Sequence, residues 1–280
     1  MKIAVFMSDN RPLNSNKETC QYNSLAAYIN SIYCIAHKYD FYYLQPYVSG
    51  GSTESTDPDV YVCSDPNTNM KRHASWAKLL SALLLCRANN KYDYIVCIDS
   101  DCVFLNFQRR IESLIHEHPE KDLIIANNSP YHPHLPCCAF FICKNTEWMQ
   151  VFLERWYTYK NPSSDSNEWK HVLHLARKTY ETPLFSIDTY WEQDTMWLLF
   201  QDPEIASHIQ LMSETIMYDE NADQYLIHIS HERNEIRKPY LIGYTEYLEK
   251  KTGHKYKEII DLIPLIVYNT SSFVFNGHSQ

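Results

Sequence analysis

Short apolar runs alternate with amphipathic stretches along this chain. Residues 3–7 are apolar without interruption and predict a short buried strand, followed by the polar loop SDNRPLNSNKE. Leu25, Tyr28, Ile29, Ile32 and Ala36 recur at helical spacing, which predicts a helix over 20–38. FYYLQPY (41–47) reads as a strand, and 50–70, rich in loop formers, as a long surface loop. Over 71–89, Trp76, Leu79, Leu80, Leu83 and Leu84 line one helical stripe, with Lys71, Ser75 and Lys78 on the other face. Residues 95–98, LIIA (123–126), AFFIC (139–143) and YLIHI (225–229) read as further strands, and 111–118, 146–159 and 191–200 as helices. Residues 160–190 are polar and irregular. The stretch after Pro264, LIVYNTSSFVFNGHSQ, is apolar enough to pack back on the body or on a partner. Strands alternating with helices predict an α/β fold with a mostly parallel central sheet flanked by helices.

Composition narrows the function. The 280 residues are 45% hydrophobic, enough for one large domain, and 21% charged, which argues against disorder. Asp and Glu outnumber Lys and Arg, 34 to 25, so the basic face of a nucleic-acid binder is not expected. An acidic enzyme that meets anionic substrates needs local positive charge or a metal. The nine cysteines include adjacent Cys137 and Cys138 but no CxxC pair, and read as reduced, buried residues of a cytoplasmic protein. No secretory signal is recognisable, and no apolar run approaches the roughly 20 residues of a membrane span. Five glycines with neither GxGxxG nor GxxxxGK[ST] speak against a P-loop or dinucleotide fold.

The chemistry concentrates in DYIVCIDSDCVF (93–104), where a buried strand runs into Asp99-Ser100-Asp101. Ligands of open α/β sheets bind at the carboxyl ends of strands. Alternate residues of an extended segment point the same way, so both carboxylates can face one site. Two anions that close need a divalent cation or raised pKa values, and carboxylate oxygens suit Mg²⁺ or Mn²⁺. Asp-Ser-Asp is equally good turn chemistry, which is the structural alternative. Lys78 and Arg72 lie one helix earlier and are placed to hold a diphosphate, unless they only solvate a helix face. YHPHLPCC (131–138) holds two His and two Cys, too tightly spaced for a regular zinc site; Pro133 and Pro136 suggest a shaped loop lining an acceptor. With 22 Tyr and 14% aromatic residues the chain has rings to stack on pyranose faces, although most such rings are expected in the core.

The DxD stretch resembles the signature of GT-A nucleotide-sugar glycosyltransferases. YNSLAAYINSIYCIAHKYDFYYL, KRHASWAKLLSALLL, LPCCAFFICKNTEWMQVFLERW, YWEQDTMWLLF and YLIHISHE are similar, in order, to segments of the galactosyl/mannosyl/xylosyltransferase group of yeast and plants. The chain also resembles the glycosyltransferases of large algal viruses, among them a xylosyltransferase. Cys137-Cys138-Ala139 departs from the glycine usual before the acceptor-side strand, so acceptor preference does not carry over.

The resemblance implies one GT-A-like domain over 1–280. Its nucleotide-sugar-binding half would be 1–110, its acceptor-side half 111–240, and its C-terminal helix and tail 241–280. It implies Mn²⁺ or Mg²⁺ held by Asp99, Asp101 and His228, with His231 as the alternative ligand, and uracil or ribose contacts from Ser8, Asp9 and Arg11. Asp99 would touch the metal or the ribose. The activity expected is transfer of a sugar, xylose from UDP-xylose first, to a hydroxyl of an oligosaccharide or glycoprotein acceptor, in viral capsid glycan synthesis in the host cytoplasm. Asp194 and Glu192 lie near a predicted helix start, where the dipole favours ionised carboxylates. Asp194, then Glu192, is therefore the expected base of an inverting transfer, the alternative for Asp194 being a helix cap. The rival functions are a metal-dependent nucleotidyltransferase or nucleotide-sugar hydrolase, and a non-enzymatic carbohydrate-binding or capsid-associated protein.

Overall fold

The computed structural model describes residues 1–47, 62–88, 91–130, 132–161, 166–177, 191–219, 223–230 and 234–275. In chain order the elements are β1 (Ile3–Ser8), α1 (Tyr22–His37), β2 (Asp40–Tyr47), β3 (Cys63–Ser64), β4 (Lys71–Arg72), α2 (Ala77–Arg87), β5 (Tyr94–Ile98), β6 (Cys102–Phe104) and α3 (Ile111–Glu117). Next come β7 (Leu123–Asn128), β8 (His132–Lys144), α4 (Glu147–Thr158), α5 (Asn167–Arg177), α6 (Glu192–Leu199), α7 (Pro203–Ser207) and β9 (Ile209–Thr215). The last are β10 (Leu226–His228), α8 (Asn234–Thr252), α9 (Tyr256–Leu262) and β11 (Leu265–Asn269).

A seven-stranded sheet runs β11-β2-β1-β5-β8-β7-β9. All its pairs are parallel except those that β8 makes with β5 and β7. The sheet is covered on both faces, which is why β1 and β5 read as unbroken apolar runs. Their side chains alternate between two cores: Ile3, Val5, Met7, Val96 and Ile98 pack with α1, whereas Ala4, Phe6, Ile95 and Cys97 pack with α2 and α4. Beyond Ile98 the Asp99 carbonyl accepts from the Cys102 amide (3.0 Å), a turn that returns the chain into β6. β6 pairs antiparallel with β10, setting Cys102 opposite His228. The DxD is therefore a turn and a strand-end carboxylate pair at once.

Four expectations change. Residues 160–190, read as irregular, hold α5 over Asn167–Arg177. The helix expected over 71–89 starts at Ala77, because Lys71 and Arg72 pair with Ser64 and Cys63 as β4. A 3₁₀ turn intervenes, with the His73 side chain accepting from the Ser75 amide. Lys78 is not on a solvated face; it is only 3% exposed. The loop expected at 131–138 is strand from His132 onward, with irregular register against β7. His132 packs against Trp197, and Cys137 and Cys138 are buried, so these side chains form core rather than an acceptor lining.

The stretch after Pro264 packs back as expected: β11 pairs in parallel with β2. All nine cysteines are buried and unpaired. No helix among the described residues is long and apolar enough to cross a membrane.

Candidate active site

Buried ionic groups converge where β1 and β5 end. Lys78, from the first turn of α2, reaches Asp99 Oδ1 at 2.6 Å and Glu192 Oε1 at 2.9 Å, and donates to the Cys138 carbonyl at 3.2 Å. Burial alone would lower the Lys78 ammonium, but the two carboxylates overcome it and hold its pKa well above the ordinary value. Burial raises Asp99 to about 6, with Lys78 pulling the other way. Glu192 is also buried, yet Lys78 keeps it below the usual carboxylate range. Its Oε2 is buried without a hydrogen-bond partner among the described residues.

Asp101 turns to the other side of the turn. Its Oδ1 lies 3.2 Å from His228 Nε2 and its Oδ2 lies 3.4 Å from Arg237 Nη2. Burial works against its charge, but His228 and Arg237 hold it down at about 2. Asp101 in turn raises His228 to about 10 against burial. Arg237 is 4% exposed, donates from Nε to the Ile229 carbonyl (2.6 Å) and stands 4.4 Å from the Tyr22 ring centroid.

The loop after β1 joins the same place. The Arg11 guanidinium forms a buried bidentate pair with Asp9, its Nε donating to Oδ1 at 2.8 Å. Its Nη2 donates to Ser100 Oγ at 3.1 Å, tying this loop to the middle residue of the DxD. Its Cζ lies 4.2 Å from the Tyr22 ring centroid, so Arg11 and Arg237 both contact one tyrosine. Ser8 accepts from Ser81 of α2 at 2.9 Å.

Among the expected site residues, Lys78, Asp99 and Glu192 meet directly, Asp101 meets His228, and Arg11 links Asp9 to Ser100. Two do not meet the cluster as expected. Arg72 is held instead by the Tyr157 and Tyr159 carbonyls, Asn161 Oδ1 (2.9 Å), Asp65 (3.3 Å) and the Trp76 ring. Its fork is filled, so its expected diphosphate role gives way to tying 63–76 to the end of α4. Asp194 is 2% exposed and accepts from the Trp191 amide at 2.8 Å. It caps its own helix, and burial raises it to about 7, against the ionised state expected of it. His231 lies outside the described residues.

The three metal donors expected do not converge. Among the described residues no group of three His, Cys, Asp or Glu is arranged to hold an ion. Asp101 and His228 fit one as a pair: they adjoin, combine an oxygen with an imidazole nitrogen, and His228 Nδ1 is buried with no hydrogen-bond partner among the described residues. Asp99 is drawn to Lys78 instead.

Sequence reasoning missed Arg237, Tyr22 and Gln193. Gln193, the middle residue of EQD, accepts from the Cys138 amide at 3.0 Å and so fixes α6 against β8. Arg237 carried a faint signal, a charged residue four before the buried Leu241 on one helix face.

No family model matches the chain, and comparison with curated proteins finds none similar. Among solved structures it is similar to a glycosyltransferase involved in the glycosylation of the major capsid of PBCV-1. The TM-score is 0.53 at 14% identity, over 86% of this chain and 99% of that one. Galactosyltransferase LgtC in complex with donor and acceptor sugar analogs aligns at a TM-score of 0.38 and 10% identity, over 87% of this chain and 96% of that one. Mouse xyloside xylosyltransferase 1 aligns at 0.38 and 8%, over 75% of this chain and 84% of that one. At a TM-score of 0.38 neither of these two establishes a shared fold. The likeness to the first, over nearly all of both chains, shows that this chain has the GT-A-like α/β fold expected from its DxD strand.

Proposed function

We propose that this protein is a metal-dependent glycosyltransferase that moves a sugar from a nucleoside diphosphate to an acceptor hydroxyl. The observation that carries the reading is the turn Asp99-Ser100-Asp101 at the end of a central strand, its carboxylates matched by Lys78 on one side and by His228 and Arg237 on the other. Asp101 and His228 would hold Mn²⁺ or Mg²⁺, with Asp99 turned toward Lys78 and the sugar end. A divalent cation held there would supply charge neutralisation for the departing diphosphate. Arg237 would add positive charge beside it, and the loop held by the Asp9–Arg11 pair, with Ser8, would flank the nucleoside.

On α6, Glu192 replaces Asp194 as the base we favour for an inverting transfer. It stands in the cluster, and Lys78 holds its pKa below the usual carboxylate range, whereas Asp194 caps its helix. UDP-xylose remains the donor favoured, on resemblance. A capsid glycan is the acceptor favoured, supported by the capsid role of the PBCV-1 glycosyltransferase that shares the fold.

A donor screen with Mn²⁺, comparing UDP-xylose with UDP-galactose, UDP-glucose and GDP-sugars, tests the reading. The expected result is Mn²⁺-dependent UDP release that rises when glycan acceptor is added, with a β linkage by proton NMR. Release that ignores every acceptor would point to a nucleotide-sugar hydrolase, and an α linkage would overturn the inverting assignment.

A further inference from the structure

Tyr22, the first residue of α1, joins separate elements at the DxD turn. The Arg11 guanidinium, from the loop after β1, lies over its ring with Cζ 4.2 Å from the centroid. The Arg237 guanidinium, from α8, lies over the same ring with Cζ at 4.4 Å. Each arginine also reaches the turn itself. Arg11 Nη2 donates to Ser100 Oγ at 3.1 Å, and Arg237 Nη2 lies 3.4 Å from Asp101 Oδ2. The contacts close into a ring that runs Tyr22, Arg11, Ser100, Asp101, Arg237 and back to Tyr22.

The two guanidiniums differ in how they are satisfied. Arg11 is filled: Asp9 accepts from Nε and Nη2, Ser100 from Nη2, and Gln21 Oε1 from Nη1 at 3.4 Å. Arg237 is not. Its Nε donates to the Ile229 carbonyl, but its buried Nη2 has no hydrogen-bond partner among the described residues, and Asp101 faces it only as an ion pair. A buried donor left unused is costly unless something else fills it. The outer end of Arg237 is therefore held by charge and by a ring face, and a ring face attracts a desolvated guanidinium strongly. Packing on the core explains why the Tyr22 ring is half-buried. It does not explain two like charges on one ring, whose repulsion Asp9 and Asp101 must offset.

We infer that Tyr22 is a positioning residue for the donor: its ring fixes the Arg237 guanidinium beside Asp101, so that the unfilled Nη2 is aimed at a phosphate oxygen. The filled Arg11 is the fixed side of this clamp, and the ring rather than the hydroxyl of Tyr22 does the holding. The phosphate part of the inference rests on the function proposed above; the hold of Tyr22 on Arg237 does not.

Two measurements test it on wild type, Tyr22→Phe, Tyr22→Leu, Arg237→Gln and the double variant Tyr22→Leu with Arg237→Gln. Melting curves establish that each is folded, and Tyr22→Met replaces Tyr22→Leu if the latter is not. The first measurement is calorimetry of UDP with Mn²⁺. Tyr22→Leu should weaken UDP binding by about tenfold or more, and Tyr22→Phe, which keeps the ring, by less than about threefold. In the Arg237→Gln background Tyr22→Leu should cost little more, a non-additivity that a merely structural role does not produce. The second measurement needs no ligand. The Arg237 Nε–H resonance, identified by its absence from Arg237→Gln, should move in Tyr22→Leu and stay in place in Tyr22→Phe. Full UDP affinity in Tyr22→Leu, or an equal loss with and without Arg237, overturns the positioning role and leaves the donor reading standing. An equal loss in Tyr22→Phe would assign the work to the hydroxyl and overturn it as well. No UDP binding by wild type overturns the donor reading. The resonance then decides the clamp alone: movement confined to Tyr22→Leu upholds it, and no movement there overturns it.

Discussion

Arg72 and Lys78 are six residues apart, both buried and both cationic, yet they sit in opposite electrostatic situations. Arg72 meets one carboxylate, Asp65, and spends the rest of its fork on neutral carbonyls and an aromatic face. That is a closed knot, with charge matched and donors filled. Lys78 meets two carboxylates, and Asp99 is followed two residues on by Asp101. One ammonium among these acids leaves negative charge that further cations must balance, and His228 and Arg237 are drawn in to do so. A basic residue whose acceptors are mostly neutral and local serves the fold. One that shares several carboxylates with other cations at a strand end marks a candidate ligand site.

Substitutions at the two places should separate chemistry from stability. The largest effect is expected at Asp101. Asp101→Ala removes the acidic half of the Asp101–His228 pair and should lower sugar transfer by about a thousandfold or more, with a far smaller change in melting temperature. Steady-state UDP release together with a melting curve measures both, and transfer within tenfold of wild type would dissolve the distinction. Next is Arg72→Ala, which strands the buried Asp65 and empties several carbonyls. It should cost about 3–5 kcal/mol of unfolding free energy in urea. UDP affinity of the folded protein should stay near the wild-type value; loss of UDP binding at full stability would restore Arg72 to the phosphate site.

A third effect, read as a pH dependence, concerns Asp194. Burial raises its folded pKa to about 7, above the unfolded value of about 3.9. Between about pH 4 and 7 the folded state holds a proton that the unfolded state has lost, so stability falls as pH rises through that window. Asn at this position does not titrate. The melting temperature of Asp194→Asn relative to wild type should therefore climb from pH 4 to 7 and level off above. A relative fall over the same range would mean that the ionised carboxylate is the stabilising form, and would favour the base role that Glu192 now takes.

The strands were legible because burial on both faces leaves continuous apolar runs, as at β1 and β5. The DxD was legible for the same reason, since its polar turn interrupts such a run. Periodicity failed at 71–76, where pairing with Cys63 and Ser64 outweighed the helical pattern, a contact no local window contains. It left Lys78 open between a diphosphate contact and a solvated face; its partners Asp99 and Glu192 are 21 and 114 residues away in sequence. Arg237 escaped notice because only the return of β10 to β6 brings its helix against the DxD turn. Asp194 shows the opposite limit: an acidic residue three after a helix start reads alike as a cap or a base, and the contact to the Trp191 amide is what separates them.

The central claim is that the DxD turn, with His228 and Arg237, binds a nucleoside diphosphate through a divalent cation. Titration of UDP into the protein by calorimetry, with Mn²⁺ and then with EDTA, for wild type and Asp101→Asn, tests it most directly. Wild type should bind UDP with Mn²⁺ and lose at least about a hundredfold in affinity with EDTA, and Asp101→Asn should show the same loss even when Mn²⁺ is present. Equal affinity in all these conditions would contradict it.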